Sequence, residues 1–321
     1  MMKRMGRRNA LLGGAALAVA VLVGGWAFLA RQDGIDEELA DKIYADPILP
    51  PSGPLQVFHL GHSLVGRDIP AMLQQLAGDG HGYEVQLGWG TPLKSHWEPN
   101  VPIQGFDEEN ATERYRDAKD ALKSGDYDAL VLTEMVEIKD AIKYHNSAKY
   151  LRQWADLAHQ GNAKARIYLY ETWHRLDDPT GWSQRLEQDL GRYWEQQLLF
   201  KATGPDRPIY MIPAGQVFAK FVAAVEKAGG VDNVLSRESL FREDEAGGRD
   251  PIHVGDLGAY LVALTHYAVL YHRSPVGLPR ELRRADGSPA NAPGENAARM
   301  MQDIVWQVVT SYAKTGVAPQ D

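Results

Sequence analysis

Beyond residue 54, short apolar runs alternate with longer segments in which apolar residues recur at helical spacing. The short runs fall at residues 55–60, 83–87, 129–133, 165–170 and 208–212. Each is rich in Val, Ile, Leu or Tyr and bounded by Gly, Pro or Asp, which predicts five strands. The longer segments predict helices over residues 69–77, 113–123, 147–159, 182–200, 214–228, 258–271 and 295–313. Within 147–159, Tyr150, Leu151, Trp154, Leu157 and Ala158 share one face, whereas 258–271 is apolar nearly all round and reads as a buried helix. Strand–helix alternation of this kind specifies an α/β fold, a three-layer α/β/α sandwich with a central parallel sheet.

The first thirty residues follow a different pattern. Lys3, Arg4, Arg7 and Arg8 precede an uncharged apolar run over residues 10–30. A secretory core spans about 7–15 residues and a membrane-crossing helix about 20, so this N-terminal hydrophobic helix is expected to be a signal anchor or a cleaved signal peptide. Arg7-Arg8 has the look of a twin-arginine export signal, and Gly25-Trp26-Ala27 offers a small-x-small cleavage site. Both alternatives place the remaining chain outside the cytoplasm, in the periplasm or beyond. Residues 31–54, charged and then rich in proline, read as a linker, and 55–321 as one domain.

Composition narrows the chemistry. Without the four N-terminal cations, 30 basic residues face 42 acidic ones, a net charge of −12. A body that acidic argues against nucleic acid as a partner. Cysteine is absent, which removes thiolate catalysis and Cys-based metal sites. The ten histidines show no tight ligand spacing and the glycines no nucleotide-binding spacing, so neither a metal nor a cofactor is expected.

In a parallel sheet, function gathers at the carboxyl ends of the strands. The first strand runs into Gly61-His62-Ser63-Leu64-Val65-Gly66, where a serine at a strand-to-helix turn can expose both a hydroxyl and a free N–H. Alone, Ser63 reads rather as the cap of the next helix. A serine needs an imidazole to take its proton and a carboxylate to orient that imidazole. Asp250-Pro251-Ile252-His253 supplies both, provided its loop turns, and Pro251 keeps Asp250 extended. Asp256 reads as the N-cap of the buried helix that follows.

Together these blocks resemble the SGNH/GDSL hydrolase superfamily over roughly residues 55–273. Gly61-His62-Ser63-Leu64 stands where the family shows G-D-S-L or G-N-S-L, and Asp250 with His253 forms its D-x-x-H. The resemblance implies a flavodoxin-like SGNH fold and a serine esterase cleaving acyl, above all acetyl, esters, with a small-molecule or glycan ester as substrate. Ser63 would be the nucleophile, His253 the base and Asp250 its partner. The oxyanion hole would combine Ser63 with a glycine after the second strand, Gly90 or Gly88. The family's third-block Asn is missing, for the third strand ends Thr133-Glu134, and Thr133 is the candidate replacement. Trp89, Glu134, Glu171 and Trp173 are candidate substrate contacts, although Trp173 reads equally as packing. A polysaccharide O-acetyltransferase with the same residues, or a non-catalytic glycan-binding envelope protein, remain alternatives.

Overall fold

The computed structural model describes residues 34–244 and 246–319. The apolar run over residues 10–30, and with it the anchor or signal expectation, lies outside the described residues. Among the described residues no helix is long and apolar enough to cross a membrane.

All five expected strands form: β1 (Gln56–His62), β2 (Gly82–Gly88), β3 (Ala129–Leu132), β4 (Arg166–Glu171) and β5 (Ile209–Pro213). They make one parallel sheet in the order β2-β1-β3-β4-β5. Every residue of β3 and β5 is buried, as expected of strands covered by helices on both faces. The order reverses at β1, so the connections leaving β1 and β3 diverge and open a crevice at their carboxyl ends.

Eleven helices are labelled here: α1 (Glu37–Ile43), α2 (Asp68–Ala77), α3 (Leu93–Trp97), α4 (Phe106–Asn110), α5 (Ala118–Ser124), α6 (Ile138–His145), α7 (Ser147–Gly161), α8 (Trp182–Asp189), α9 (Ala214–Ala228), α10 (Asp256–Tyr271) and α11 (Glu295–Ser311). Helix α10 is the hub of one layer. Every residue from Leu257 to Tyr271 is buried, and the helix packs against α2, α9 and α11. Helices α5 and α7 pack together elsewhere, where Trp154 of α7 sits edge-on to Trp97 of α3.

Several elements depart from the periodicity. The segment expected as a helix over 113–123 becomes helical only at Ala118, because the Asp117 carboxylate accepts the N–H groups of Lys119 and Asp120 at 3.0 Å each. The long helix expected over 182–200 is α8 continued by wider π-type turns through Leu190–Leu199. Asp256 is the first residue of α10 rather than its cap. Arg284 draws its carboxylate away with contacts of 2.6 and 2.8 Å.

Two further corrections bear on organisation. The Asp250–His253 segment was expected in a loop. It lies in β7 (Arg249–Val254), paired antiparallel with β6 (Phe241–Glu243). Residues 34–54, expected as a linker, are packed on the domain. Ile35, Ala40 and Tyr44 are buried, Tyr44 Oη donates to Ile209 O at 2.7 Å, and Ile48 N–H donates to Gly316 O at 2.9 Å. Proline and charge along this segment do not reveal that its few apolar side chains meet the edge strand β5.

Replacing Tyr44 by Ala should therefore lower the unfolding free energy by about 3–5 kcal/mol, the range for a buried aromatic. Chemical denaturation checks this. Unchanged stability would return the segment to the role of a tether.

Candidate active site

Ser63 follows directly on β1, in the turn that precedes α2. Its Oγ lies 3.0 Å from His253 Nε2, and His253 Nδ1 lies 2.9 Å from Asp250 Oδ2. An ionised carboxylate can only accept, so Nδ1 carries the proton and Nε2 is left to accept from the serine hydroxyl. Asp250 Oδ1 also accepts the N–H groups of Ile252 and His253, at 2.9 Å each, and Arg242 Nε donates to Oδ2 at 3.1 Å. Burial opposes ionisation of Asp250, but the two amides and the imidazole outweigh it and hold the carboxyl well below its usual range. The hairpin turns the D-P-I-H segment into a fixed carboxylate–imidazole pair.

The turn that carries Ser63 is held by two buried histidines. His62 Nδ1 accepts the Leu64 N–H at 3.3 Å, and its Nε2–H donates to Glu134 O at 2.8 Å, tying the end of β1 to the end of β3. His96 of α3 donates Nε2–H to Gly61 O at 2.8 Å, while its Nδ1 accepts from Gln86 Nε2 at 3.0 Å. Burial pushes both imidazoles down to about 4, so they stay neutral, which this donor–acceptor pattern requires. Tyr170 Oη adds a bond to Leu64 O at 3.2 Å. His62 thus occupies the position before the serine as a brace between strands. Nothing in the local residue pattern signals this role beyond the place of His62 in the block.

The expected oxyanion residues separate. The N–H groups of Ser63 and Gly90 have no acceptor among the described residues, and both residues line one cleft of about 1350 Å³. Gly90 stands at φ +55°, a left-handed conformation that suits glycine. Gly88 is the last residue of β2. It is buried against Ile103 and Thr91 and does not line the cleft. Thr133 is also no donor here. Its side chain is fully buried, faces Gly61 and lies off the cleft.

Of the candidate substrate contacts, Trp89 alone reaches the cleft. It is 50% exposed, donates Nε1–H to Glu109 Oε1 at 2.8 Å, and rests on Gly105, where a Cβ would strike the indole. Glu134 is buried, and its Oε1 accepts the N–H groups of Leu93 and Met135. Burial raises its carboxyl to about 7 against those bonds. Glu171 is buried too, bonded to Gln216 through both oxygens and raised by burial to about 8. Trp173 is fully buried, stacked on Phe218 at 4.7 Å, with Nε1–H donating to Ile252 O at 2.7 Å. These three side chains are buried in the scaffold and do not line the cleft. Alternation of polar and apolar residues at a strand end does not tell which side of the sheet's edge each will face.

Trp173 nevertheless matters to the site. With Leu176 N–H donating to Pro251 O at 2.8 Å, it fastens the middle of β7 from the loop after β4. Arg185 stiffens the same rim, pairing with Asp178 and Asp189 at 2.6 Å and Glu137 at 3.0 Å. Among the described residues no group of three or more His, Cys, Asp or Glu side chains is placed to hold a metal ion.

No family model matches this chain, and no curated protein matches it. Solved structures similar to it include a protein from Streptococcus pneumonia provisionally described as a platelet activating factor. That likeness has 15% identity, covers 80% of this chain and 99% of the other, and has a TM-score of 0.35. A carbohydrate esterase of family 3 from Talaromyces cellulolyticus shows 13% identity over 68% of this chain and 97% of its own, with a TM-score of 0.33. A carbohydrate esterase of family 2 with a carbohydrate-binding domain, from Corynascus thermopiles, shows 11% identity over 70% and 67%, again with a TM-score of 0.33. At such scores these likenesses carry no argument, and the site is read from its own geometry.

Trp173→Phe keeps the stack on Phe218 but removes the bond to Ile252 O. We expect the amides of β7 to exchange about five- to tenfold faster, the effect of losing about 1 kcal/mol with one hydrogen bond. Hydrogen exchange followed by mass spectrometry decides it, and unchanged protection of β7 would leave Trp173 as core packing alone.

Proposed function

We propose that this chain is a serine esterase that hydrolyses acyl esters through a covalent intermediate on Ser63. The observation that carries the reading is the unbroken contact series from Ser63 Oγ to His253 at 3.0 Å and on to Asp250 at 2.9 Å. A serine that serves only as a helix cap needs neither contact.

The arrangement supports a balanced two-step reaction. Ser63 Oγ attacks the ester carbonyl while His253 Nε2 takes the hydroxyl proton, and the charge on the carbonyl oxygen falls to the free amides of Ser63 and Gly90. The C–O bond to the alcohol then breaks, the alcohol leaving with the proton from Nε2. Water next attacks the acyl group, gives its proton to His253, and the acid departs as Oγ recovers its hydrogen. Asp250 holds the imidazole and stabilises its transient positive charge.

The cleft of about 1350 Å³ exceeds the roughly 300–1,000 Å³ of most small-ligand sites. Its open indole at Trp89 is the kind of face on which a sugar ring stacks. Both features support a glycan as the carrier of the ester, and the resemblance to SGNH/GDSL hydrolases supports acetyl as its acyl group. The basic N-terminal flank and the apolar run behind it support a location outside the cytoplasm, tethered or released.

A fluorophosphonate probe should label the wild-type chain at Ser63 and leave Ser63→Ala unlabelled. His253→Ala should lose at least about 10³-fold in kcat/KM on an acetyl ester. Failure of the probe to label folded wild-type protein would reject the esterase reading.

A further inference from the structure

A second cleft, of about 560 Å³, adjoins the first and shares two lining residues with it, Arg67 and Arg284. Arg114 and Arg283 line it as well, whereas Glu113 is its one acidic lining residue. Arg284 is neutralised by Asp256, but Arg67, Arg114 and Arg283 form no ion pair among the described residues. Three arginines outside any ion pair thus line one cleft beside the active-site cleft. They do so on a body whose net charge beyond the first ten residues is −12, so the cleft does not merely reflect a basic surface.

Each of the three is held in place without losing its charge. Arg67 donates Nε–H to Glu109 O at 3.2 Å and a second N–H to Glu108 O. Arg283 donates to Gly287 O at 2.8 Å. Arg114 lies 4.7 Å from the centre of the Tyr83 ring and donates to Gln74 Oε1 at 3.3 Å. Neutral acceptors fix the direction of these side chains and leave further N–H donors for a ligand. A preorganised guanidinium loses little entropy on binding and suits the two-oxygen geometry of carboxylates and phosphates.

We infer that this second cleft is an anion subsite, which takes a negatively charged sugar unit of the same glycan whose acyl group meets Ser63. The glycan and its acyl group rest on the esterase reading proposed above. The charge complementarity is independent of it. Arg67, four residues after Ser63, borders both clefts, so one extended chain can occupy them together. The substrate class is therefore an acylated acidic polysaccharide, its charge carried by carboxylates or by phosphates.

Binding can be measured without turnover by titrating the Ser63→Ala chain calorimetrically. The probes are de-esterified oligogalacturonate, a glycerol-phosphate-bearing oligosaccharide and a neutral xylo-oligosaccharide of equal length. At least one anionic probe should bind about tenfold more tightly than the neutral one, with the advantage shrinking as salt is added. In an Arg114→Gln, Arg283→Gln background, checked for folding by its thermal melt, that advantage should fall about tenfold. Equal affinity for charged and neutral probes, no binding of any probe, or an unchanged advantage in the double variant would overturn the subsite. Probe labelling of Ser63 reports separately on the esterase reading, so the two can fail independently.

Discussion

The contact between Ser63 and His253 joins residues 190 positions apart, and the usefulness of either depends on it. A serine hydroxyl is a poor nucleophile without a base, and an imidazole without a fixed tautomer is an indifferent one. Each side of the contact is anchored by different means. The serine side hangs from the parallel sheet, where His62 and His96 bond the end of β1 to β3 and α3. The histidine side hangs from the β6–β7 hairpin, which Trp173 and Leu176 fasten to the loop after β4. Sheet order places both anchors at the crevice where the topology reverses.

The electrostatics around this contact are divided by burial. Behind the serine, burial favours the uncharged form of each titratable group. His62 and His96 are pushed down to about 4, while Glu134 and Glu171 are pushed up to about 7 and 8. Near the cleft lie charged ones: Asp250 kept ionised by amides, and the arginines that border both clefts. The buried ion pair of Arg185 and Asp189 lies apart from this set, at the rim formed by the loop after β4. The polar set behind the serine holds the backbone by direction-specific hydrogen bonds, which cost less in desolvation than buried ions.

The fold was largely legible in the chain because every strand of the parallel sheet is short, largely apolar and cut off by Gly, Pro or Asp, and both halves of the site sit at recognisable breaks. Ser63, Asp250 and His253 were found as two local blocks, and the sheet brings them together. Glu134, Glu171 and Thr133 are expected at the cleft and Trp173 there or in the packing, yet all four are buried, because a residue at a strand end can turn either into the cleft or into the scaffold. Only tertiary packing decides which. The same holds for residues 34–54, whose composition resembles a linker but whose Tyr44 finds a carbonyl on β5. The β6–β7 hairpin was missed since three-residue β6 carries exposed Arg242 and Glu243 and shows no apolar alternation. The arginine cleft draws its members from positions 67, 114, 283 and 284, too far apart for any local pattern.

In the proposed reaction Ser63 carries the acyl group between the two steps. Mass spectrometry of the chain quenched in acid during turnover of an activated acetyl ester reads this out. One added acetyl group should appear on the peptide containing Ser63, accumulate before steady state and disappear when the ester is spent. Acetate release with no acyl group on Ser63, or acylation at another residue only, would rule out the covalent route.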